Sequence, residues 1–385
     1  MPQTNRQIQQ TLRKLHLWVG LFAGAFIVMM GLTGMISVFK PVLEGAAAPQ
    51  RQPGGASANL AAMEQSFAAA YPGARITRVA VSENSPGLLL VQAETESRQR
   101  VQAYFDAASG RDLGPKKSLN WLEWIVDLHQ NLLMGKTGRR LTGVIGCALL
   151  FVAFSGIVSW LAGPRAWRRG LAIPKGGPWR RINYEWHRYA GLWANLLLLT
   201  VSATGVVLAY PDTFQAVVRA TLGEARIPRE DRKRDSDRKS ARGTLPLDEY
   251  IRAAASAIPG GIVRELKMPK NGREAVSVTL WTPSDIRPKG ESVVLLNEAS
   301  AGVLSVDRSA DAPLSKRLVA LANAIHKTEL GGLPVKLVWS ILGLVPVLLF
   351  LSGVQIWWAR KKSVLRYNLA REQNAGAPVI AQAGK

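Results

Sequence analysis

The sequence predicts an α-helical membrane protein in which four transmembrane helices form a 2+2 internal repeat and two α+β modules lie outside the membrane. The first observation is four apolar runs of 22 or 23 residues without Asp, Glu, Lys or Arg, at residues 17–39, 141–163, 189–210 and 337–359. About 20 apolar residues in a helix cross the roughly 30 Å hydrocarbon core of a bilayer. The other observations are an internal repeat in register and basic residues concentrated beside one set of span ends.

The first run also resembles a secretory signal peptide, since Arg13 and Lys14 precede it and three alanines follow at positions 46–48. Its apolar region is longer than the roughly 7 to 15 residues of such signals, and a near copy of it recurs in mid-chain. We therefore expect an uncleaved transmembrane helix.

Basic residues near the spans predict the orientation. The short loop between the second and third spans carries one acid, Glu185, against six basic residues: Arg165, Arg168, Arg169, Lys175, Arg180 and Arg181. The positive-inside rule places this loop and both termini in the cytoplasm, so in a bacterium the protein would span the inner membrane. Topology accounts for much of the net charge of +22, and we expect the lipid bilayer but no nucleic acid as a partner.

The expected segments follow from these spans. They are a cytoplasmic tail (1–16), helix 1 (17–39), a first periplasmic module with an amphipathic helix (40–140), helix 2 (141–163), a basic cytoplasmic loop (164–188), helix 3 (189–210), a second periplasmic module (211–336), helix 4 (337–359) and a cytoplasmic tail (360–385).

An internal repeat relates the two halves of the chain. An offset of 171 aligns HLWVGLFA at residues 16–23 with HRYAGLWA at residues 187–194, and it also aligns Thr33-Gly34 with Thr204-Gly205. An offset of 197 aligns a second set, in which His129, Ser155-Gly156 and Trp160 match His326, Ser352-Gly353 and Trp357. Each half therefore contributes two of the four histidines, at equivalent positions.

The two outer segments share the pattern of a small α+β module. In YPGARITRVAVSENSPGLLLVQAE and IPGGIVRELKMPKNGREAVSVTLW, the end of a short helix at Pro-Gly precedes two strand-like runs joined by a turn. A further strand and tight turn follow in each. The second segment is longer chiefly through the charged residues 223–243, where we expect a solvated loop; a docking surface for an anionic ligand is the alternative.

The four histidines are the candidate functional residues. His16 and His187 stand at the cytoplasmic start of a span, whereas His129 and His326 lie in amphipathic stretches just outside the second and fourth spans. Ionisable residues at membrane depth are costly and tend to mark a function. Two imidazoles that face each other across a bundle are what a six-coordinate b-type haem requires. The alternative is an interfacial role at headgroup level, but the duplication in register favours ligation.

Glycines continue the histidine stripe. At about 100° per residue, Gly20 lies about 40° from His16 around the helix and Gly34 returns to the same azimuth, and the pattern repeats after His187. Such a stripe lets a flat ring or a partner helix approach the backbone closely.

Other chemistries lack their motifs in this sequence. There is no H-x-x-x-H, HExxH or CxxC pattern for zinc, and no Walker A, Rossmann or GxSxG sequence. The single cysteine, Cys147, excludes an intrachain disulfide framework and covalent haem attachment through CxxCH.

Together these features resemble the PepSY-associated transmembrane proteins. The resemblance rests on RKLHLWVGL and YEWHRYAGLW before the first and third spans, on LHQNLLMG and IHKTELGG before the second and fourth, and on two PepSY-like outer modules. Within that family the chain most resembles the iron-regulated siderophore reductases of the inner membrane. The resemblance implies two haem b groups, whose iron takes its axial ligands from His16, His129, His187 and His326.

The function implied is that of an oxidoreductase that passes electrons across the membrane, reduces a periplasmic ferric siderophore and releases Fe(II). Electrons would come from a cytoplasmic flavin reductase or from quinol, and we expect this donor to be a separate molecule. Two alternatives stay open. One is a non-enzymatic PepSY-type protein that binds an envelope partner or regulates a protease, and the other is a haem protein that serves a protein or copper acceptor.

Overall fold

The structure is a computed structural model that describes residues 3–49, 58–82, 85, 87–160, 176–224, 245–269 and 275–375. It divides into two compact units. The helical unit comprises the described residues within Met1–Ser37, Ile125–Ala209 and Leu337–Lys385, and the sheet unit those within Val38–Trp124 and Tyr210–Lys336.

The described elements in chain order are α1 (Gln3–Ser37), α2 (Lys40–Ala47), α3 (Leu60–Ala70), β1 (Arg75–Val81), β2 (Leu88–Glu94), β3 (Arg100–Asp106), β4 (Asp112–Pro115), α4 (Asn120–Asn131), α5 (Gly135–Trp160), α6 (Trp179–Ala209), α7 (Pro211–Leu222), α8 (Leu247–Ala257), β5 (Ile262–Lys267), β6 (Val276–Trp281), β7 (Ser292–Leu296), β8 (Val303–Asp307), a short 3₁₀ helix (Ser309–Asp311), α9 (Leu314–His326) and α10 (Gly332–Ala375).

Four of these helices, α1, α5, α6 and α10, are long and apolar enough to cross a membrane. This confirms the prediction of an α-helical membrane protein with four candidate spans. The helices run past the apolar runs, because charged residues such as Lys and Arg are good helix formers. Helix α6, for example, begins at Trp179 inside the predicted cytoplasmic loop, where Arg181 Nε donates to Glu185 Oε1 at 2.8 Å across one helical turn.

Glycines set the packing of the helical unit. A Cβ atom on Gly31 of α1 would stand 2.5 Å from the carbonyl oxygen of Gly343 in α10, so the two backbones approach at a distance that only glycine permits. Helices α5 and α6 meet where a Cβ on Gly146 would lie 2.9 Å from Val206, and α6 meets α10 beside Leu349. Helices α1 and α6 each pack on both α5 and α10, which places α1 and α6 on opposite sides of the bundle.

The sheet unit is built on one eight-stranded antiparallel sheet of order β4-β3-β2-β1-β5-β6-β7-β8. It consists of two four-stranded meanders, each preceded by a helix, and the helices α3 and α8 have their first and last residues 187 positions apart in sequence. Strands β1 and β5 join the meanders, with Val79 opposite Leu266 in the register, and these two residues are again 187 positions apart. The sheet therefore has a local pseudo-two-fold axis at this pair of residues.

One face of the sheet carries the hydrophobic core. Alternate residues of β6, Val276, Val278 and Leu280, are fully buried and pack with Met63 of α3 and Tyr250 of α8. Alternation with period two is the pattern of a strand with one buried face, which is why the β-branched runs form these strands. Asn59 caps α3, since its side chain accepts a hydrogen bond from Ala62 N at 3.0 Å.

Two predicted loops fall largely outside the described residues. Of the charged segment 223–243, only Gly223 and Glu224 are described, and Gly223 ends α7 in the left-handed conformation at φ 67°. Of the six basic residues predicted to orient the protein, only Arg180 and Arg181 are described.

Candidate functional site

The four predicted ligand histidines are placed by four different helices. His16 lies in α1 and His187 in α6, both within the helical unit. His129 lies near the end of α4, in the same unit, and His326 is the last residue of α9, in the sheet unit. All four side chains are partly buried.

His16 and His187 make equivalent contacts. His16 Nδ1 lies 2.9 Å from Ser155 Oγ on α5, and His187 Nδ1 lies 2.8 Å from Ser352 Oγ on α10. Each imidazole thus meets a serine from a neighbouring helix, through the same ring nitrogen. The two rings also interact electrostatically with each other, so α1 and α6 bring them to the same end of the bundle from opposite sides.

His129 repeats this contact elsewhere in the unit. Its Nδ1 lies 3.1 Å from the hydroxyl of Thr33 on α1. Seventeen positions separate Thr33 from His16 along α1, and at about 1.5 Å per residue this corresponds to about 25 Å. The helical unit therefore holds one histidine level near each end of the apolar run 17–39.

Counting protons identifies the tautomer of these rings. A hydroxyl has one proton, and in each case it is donated to the hydroxyl's own helix: Ser155 to Val152 O at 3.1 Å, Ser352 to Leu348 O at 2.7 Å, and Thr33 to Met29 O at 2.7 Å. Because that proton is used, the hydroxyl oxygen accepts a hydrogen bond from the imidazole. The proton of each neutral ring is therefore on Nδ1, and its lone pair is on Nε2.

Backbone carbonyls reinforce this arrangement. The carbonyl three residues before each hydroxyl also interacts with the same ring, namely those of Val152 with His16, Leu349 with His187 and Met30 with His129. A carbonyl oxygen only accepts, so this contact favours a proton on the ring nitrogen that faces it. Burial lowers the pKa of His129 to about 4, against the opposing effect of the Met30 carbonyl, so this ring is neutral at pH 7.

Glycines leave space around the rings. A Cβ atom on Gly34 would lie 2.8 Å from Cε1 of His129, and Cβ atoms on Gly156 and Gly353 would lie 3.5 Å and 3.6 Å from Cε1 of His16 and His187. At Gly20 a Cβ would meet no described atom within 4 Å. A side chain at Gly34 would therefore push the ring of His129 away, whereas a Cβ at Gly156 or Gly353 would be in ordinary van der Waals contact with the imidazole.

The donor set suits a haem iron better than a metal held by several side chains. Among the described residues, no three His, Cys, Asp or Glu side chains are grouped to hold a metal ion. Haem needs only two axial nitrogens, and neutral imidazoles with free Nε2 lone pairs and hydrogen-bonded Nδ1–H groups are the form in which histidine ligates iron. His16 and His187 have this form, and His129 shares the Nδ1 contact.

A family model for the PepSY-associated TM region matches residues 13–360, which is nearly the whole chain. The chain belongs to this family. No individual curated protein matches it. The matched region contains all four histidines and both units, so the PepSY-associated region and the candidate site coincide.

Sequence reasoning missed the hydroxyl partners of this PepSY-associated protein. Ser155 and Ser352 align with each other in the repeat, and Thr33 aligns with Thr204, so the Ser-Gly and Thr-Gly pairs were visible as repeated motifs. Their role was not, because contact with a histidine depends on how each helix is rotated about its axis. The ligand roles of the four histidines, and the pairing of His129 with His326, stay predictions.

An ion pair fixes the chain just after His326. Arg287 donates from Nε to Glu329 Oε2 at 2.7 Å and from Nη2 to Glu329 Oε1 at 3.0 Å. Glu329 N also donates to Ala324 O at 2.9 Å, which closes the turn at the end of α9. Burial alone would raise the pKa of Glu329, but the hydrogen bonds and charge of Arg287 outweigh it and the pKa is lowered.

Proposed function

We propose that this PepSY-associated protein is a di-haem b reductase of the bacterial inner membrane, which passes electrons to a periplasmic ferric siderophore and releases Fe(II). The observation that carries the proposal is the pair of imidazoles, His16 and His187, whose Nδ1 atoms contact serine hydroxyls in the same way and whose Nε2 atoms are thereby left for a metal; His129 repeats the Nδ1 contact at Thr33. Histidines with a purely structural role would not need to share one tautomer.

The proposal includes a 2+2 repeat with two PepSY-like modules in the periplasm and both termini in the cytoplasm. The equal spacing of 187 positions at α3 and α8, and the alignment of Val79 with Leu266 at the centre of the sheet, support duplicated modules. Arg180 and Arg181 at the start of α6, and Arg360, Lys361 and Lys362 beyond the fourth apolar run, support the cytoplasmic assignment of that end of the bundle.

In this proposal His16 and His187 would hold the iron of one haem b, and His129 and His326 would hold the iron of the other. Haem would supply a one-electron Fe(III)/Fe(II) couple at each of these places. The chain itself supplies the ligand nitrogens, sets the tautomer of three of them through Ser155, Ser352 and Thr33, and separates the levels of His16 and His129 by about 25 Å along α1. Helices α5 and α10 contact His16 and His187 through Ser155 and Ser352.

The electron donor and acceptor follow from the proposed orientation. His16 and His187 lie near the cytoplasmic end, where a flavin reductase or membrane quinol would deliver electrons. The sheet unit would face the ferric siderophore. Reduction releases the metal because Fe(II) is softer and less charged than Fe(III), so hard oxygen chelators hold it less tightly.

The direction of electron flow tests this function. Sealed right-side-out vesicles that contain the prereduced full-length protein are mixed with a ferric siderophore that cannot cross the membrane, and Fe(II) release is followed with an external ferrous chelator. We expect release by the wild-type chain and its loss in His129→Ala and His326→Ala. Unchanged release in both variants would rule out the proposed exit for electrons.

A further inference from the structure

We infer that Ser155, Ser352 and Thr33 are positioning residues that set the tautomer and ring orientation of His16, His187 and His129; their effect on haem rests on the proposed function, whereas their effect on the imidazoles does not. Each hydroxyl belongs to a different helix from the ring it contacts. Rotation or sliding of one helix would therefore be transmitted directly to an iron ligand.

The contacts are more specific than the usual hydroxyl chemistry of membrane helices. Ser202 and Thr200, both in α6, make the same bonds to their own helix, Ser202 Oγ to Leu198 O at 2.6 Å and Thr200 Oγ1 to Leu196 O at 2.9 Å. Bonds of this kind occupy the hydroxyl proton and leave the oxygen free to accept. Ser202 is buried like Ser155, at 4% against 0% exposed, and it has no hydrogen bond to an imidazole among the described contacts, so it serves as a matched control.

The hydroxyls favour a tautomer that is the minor one in water. A free neutral imidazole side chain prefers its proton on Nε2, which would block ligation through that atom. At His16 and His187 the hydroxyl oxygen offers an acceptor to Nδ1, and the carbonyl three residues before it also interacts with the ring. The lone pair of Nε2 in His16 and His187 is therefore available to a metal before the metal binds.

The same bonds have a consequence for bound iron. A hydrogen bond from Nδ1–H to an acceptor makes the imidazole a stronger donor, which stabilises Fe(III) relative to Fe(II) and lowers the reduction potential. Loss of such a partner costs about 10- to 100-fold in metal affinity in other sites. Replacing Ser155 or Ser352 by Ala should thus raise the potential of the haem at His16 and His187 and weaken its retention by about 10-fold or more.

Histidine-selective ¹⁵N NMR of the full-length chain in lipid nanodiscs tests the inference. The chain has only four histidines, so four pairs of ring nitrogens account for the spectrum, and reduction with dithionite keeps any low-spin haem diamagnetic. We expect Ser155→Ala to shift the nitrogens of His16, with smaller changes elsewhere, and Ser155→Thr to restore them. Ser202→Ala should leave all four pairs in place.

A redox titration of the same preparations separates this inference from the proposed function. If haem is present, Ser155→Ala and Ser352→Ala should raise one of the two midpoint potentials and Thr33→Val the other. If no haem is present but Ser155→Ala still shifts the His16 nitrogens, the inference stands and the proposed function fails. If Ser155→Ala gives ring-nitrogen shifts and potentials that superimpose on the wild-type values, the inference is overturned and the proposed function is untouched.

Discussion

The helical unit and the sheet unit differ in the size of the side chains that they bury most completely. In the sheet unit the fully buried residues are large and apolar, among them Tyr250, Phe105 and Met63. In the helical unit Ser155 is fully buried and Asn195 is 5% exposed, whereas Phe22 is 74% exposed. Lipid can cover apolar side chains at no cost, so a membrane bundle is free to place its polar residues inside, next to a site.

This difference explains why polar candidate residues can lie inside the helical unit. In water the sheet unit is stabilised by hydrophobic burial, which contributes roughly 1.5–3 kcal/mol for each large side chain. The helical unit gains less from such burial, and its interior holds glycines, hydroxyls and imidazoles beside a small apolar cluster of Ala194, Leu198 and Leu342. The predictions that follow test this contrast, beginning with the largest expected effect.

Truncation of an aromatic side chain should have opposite outcomes in the two units. Tyr250→Ala should destabilise the sheet unit by about 4 kcal/mol, because the ring is fully buried and its hydroxyl donates to the carbonyl of Glu298. Phe22→Ala in α1 removes a ring of similar size from the lipid-facing side and should cost less than about 1 kcal/mol. Thermal unfolding of both variants in the same detergent measures the difference; equal losses would contradict the contrast.

Arg287→Met should destabilise the sheet unit by about 2–3 kcal/mol at pH 7, since it leaves the carboxylate of Glu329 buried without its partner. The figure is below that for a fully buried pair because Arg287 is 21% exposed.

The pH dependence of this loss has a definite sign. The lowered pKa of Glu329 means that the wild-type pair stabilises the fold above the unfolded-state pKa of a glutamate, and that this stability is lost as pH falls through the lower folded-state pKa. The loss of stability in Arg287→Met should therefore become smaller as the pH falls. Melting temperatures measured between pH 7 and pH 3 check this, and a deficit that grows toward pH 3 would refute the ion pair as its cause.

Gly31→Ala should loosen the contact between α1 and α10 at a cost of about 2 kcal/mol, because the new Cβ would stand 2.5 Å from the Gly343 carbonyl oxygen. Gly20→Ala is the matched control in the same helix, since its Cβ would meet no described atom within 4 Å. Thermal aggregation in detergent compares the two. A larger loss for Gly20→Ala would show that the helices do not pack as described.

Asn59→Ala should have the smallest effect, about 1 kcal/mol, because it removes the side-chain cap of α3 and leaves the core intact. The equivalent position before α8 is Pro246, which provides no side-chain hydrogen bond. Asn59→Ser should preserve the cap and hence the melting temperature. A loss with Ser as large as with Ala would mean that the cap does not stabilise this helix.

The sequence predicted the elements better than their arrangement. Uninterrupted apolar runs identify the four membrane helices, because length and composition alone decide whether a helix crosses a bilayer. The pairing of β1 with β5 was not foreseen, because Val79 and Leu266 are far apart in sequence and no local pattern specifies which edges of two modules meet. The ends of α6 and α10 were also missed, since helix formers continue past the apolar residues.

In the candidate site, too, the sequence identified the histidines but not the residues that contact them. The four histidines stood out because they are few and duplicated in register, whereas Ser155, Ser352 and Thr33 are ordinary residues of apolar spans. Their contacts at 2.9, 2.8 and 3.1 Å depend on helix rotation, which packing sets and periodicity does not.

The central claim is that paired histidines hold two haems, and the optical spectrum of the purified full-length protein tests it most directly. The reduced protein should show the sharp Soret and α bands of low-spin haem b, at two haems per chain by pyridine haemochrome assay. His16→Ala and His187→Ala should each remove the same one of the two haems and leave the other. A protein without these bands when expressed with ample haem, or loss of both haems in every single-histidine variant that still folds, would contradict the claim.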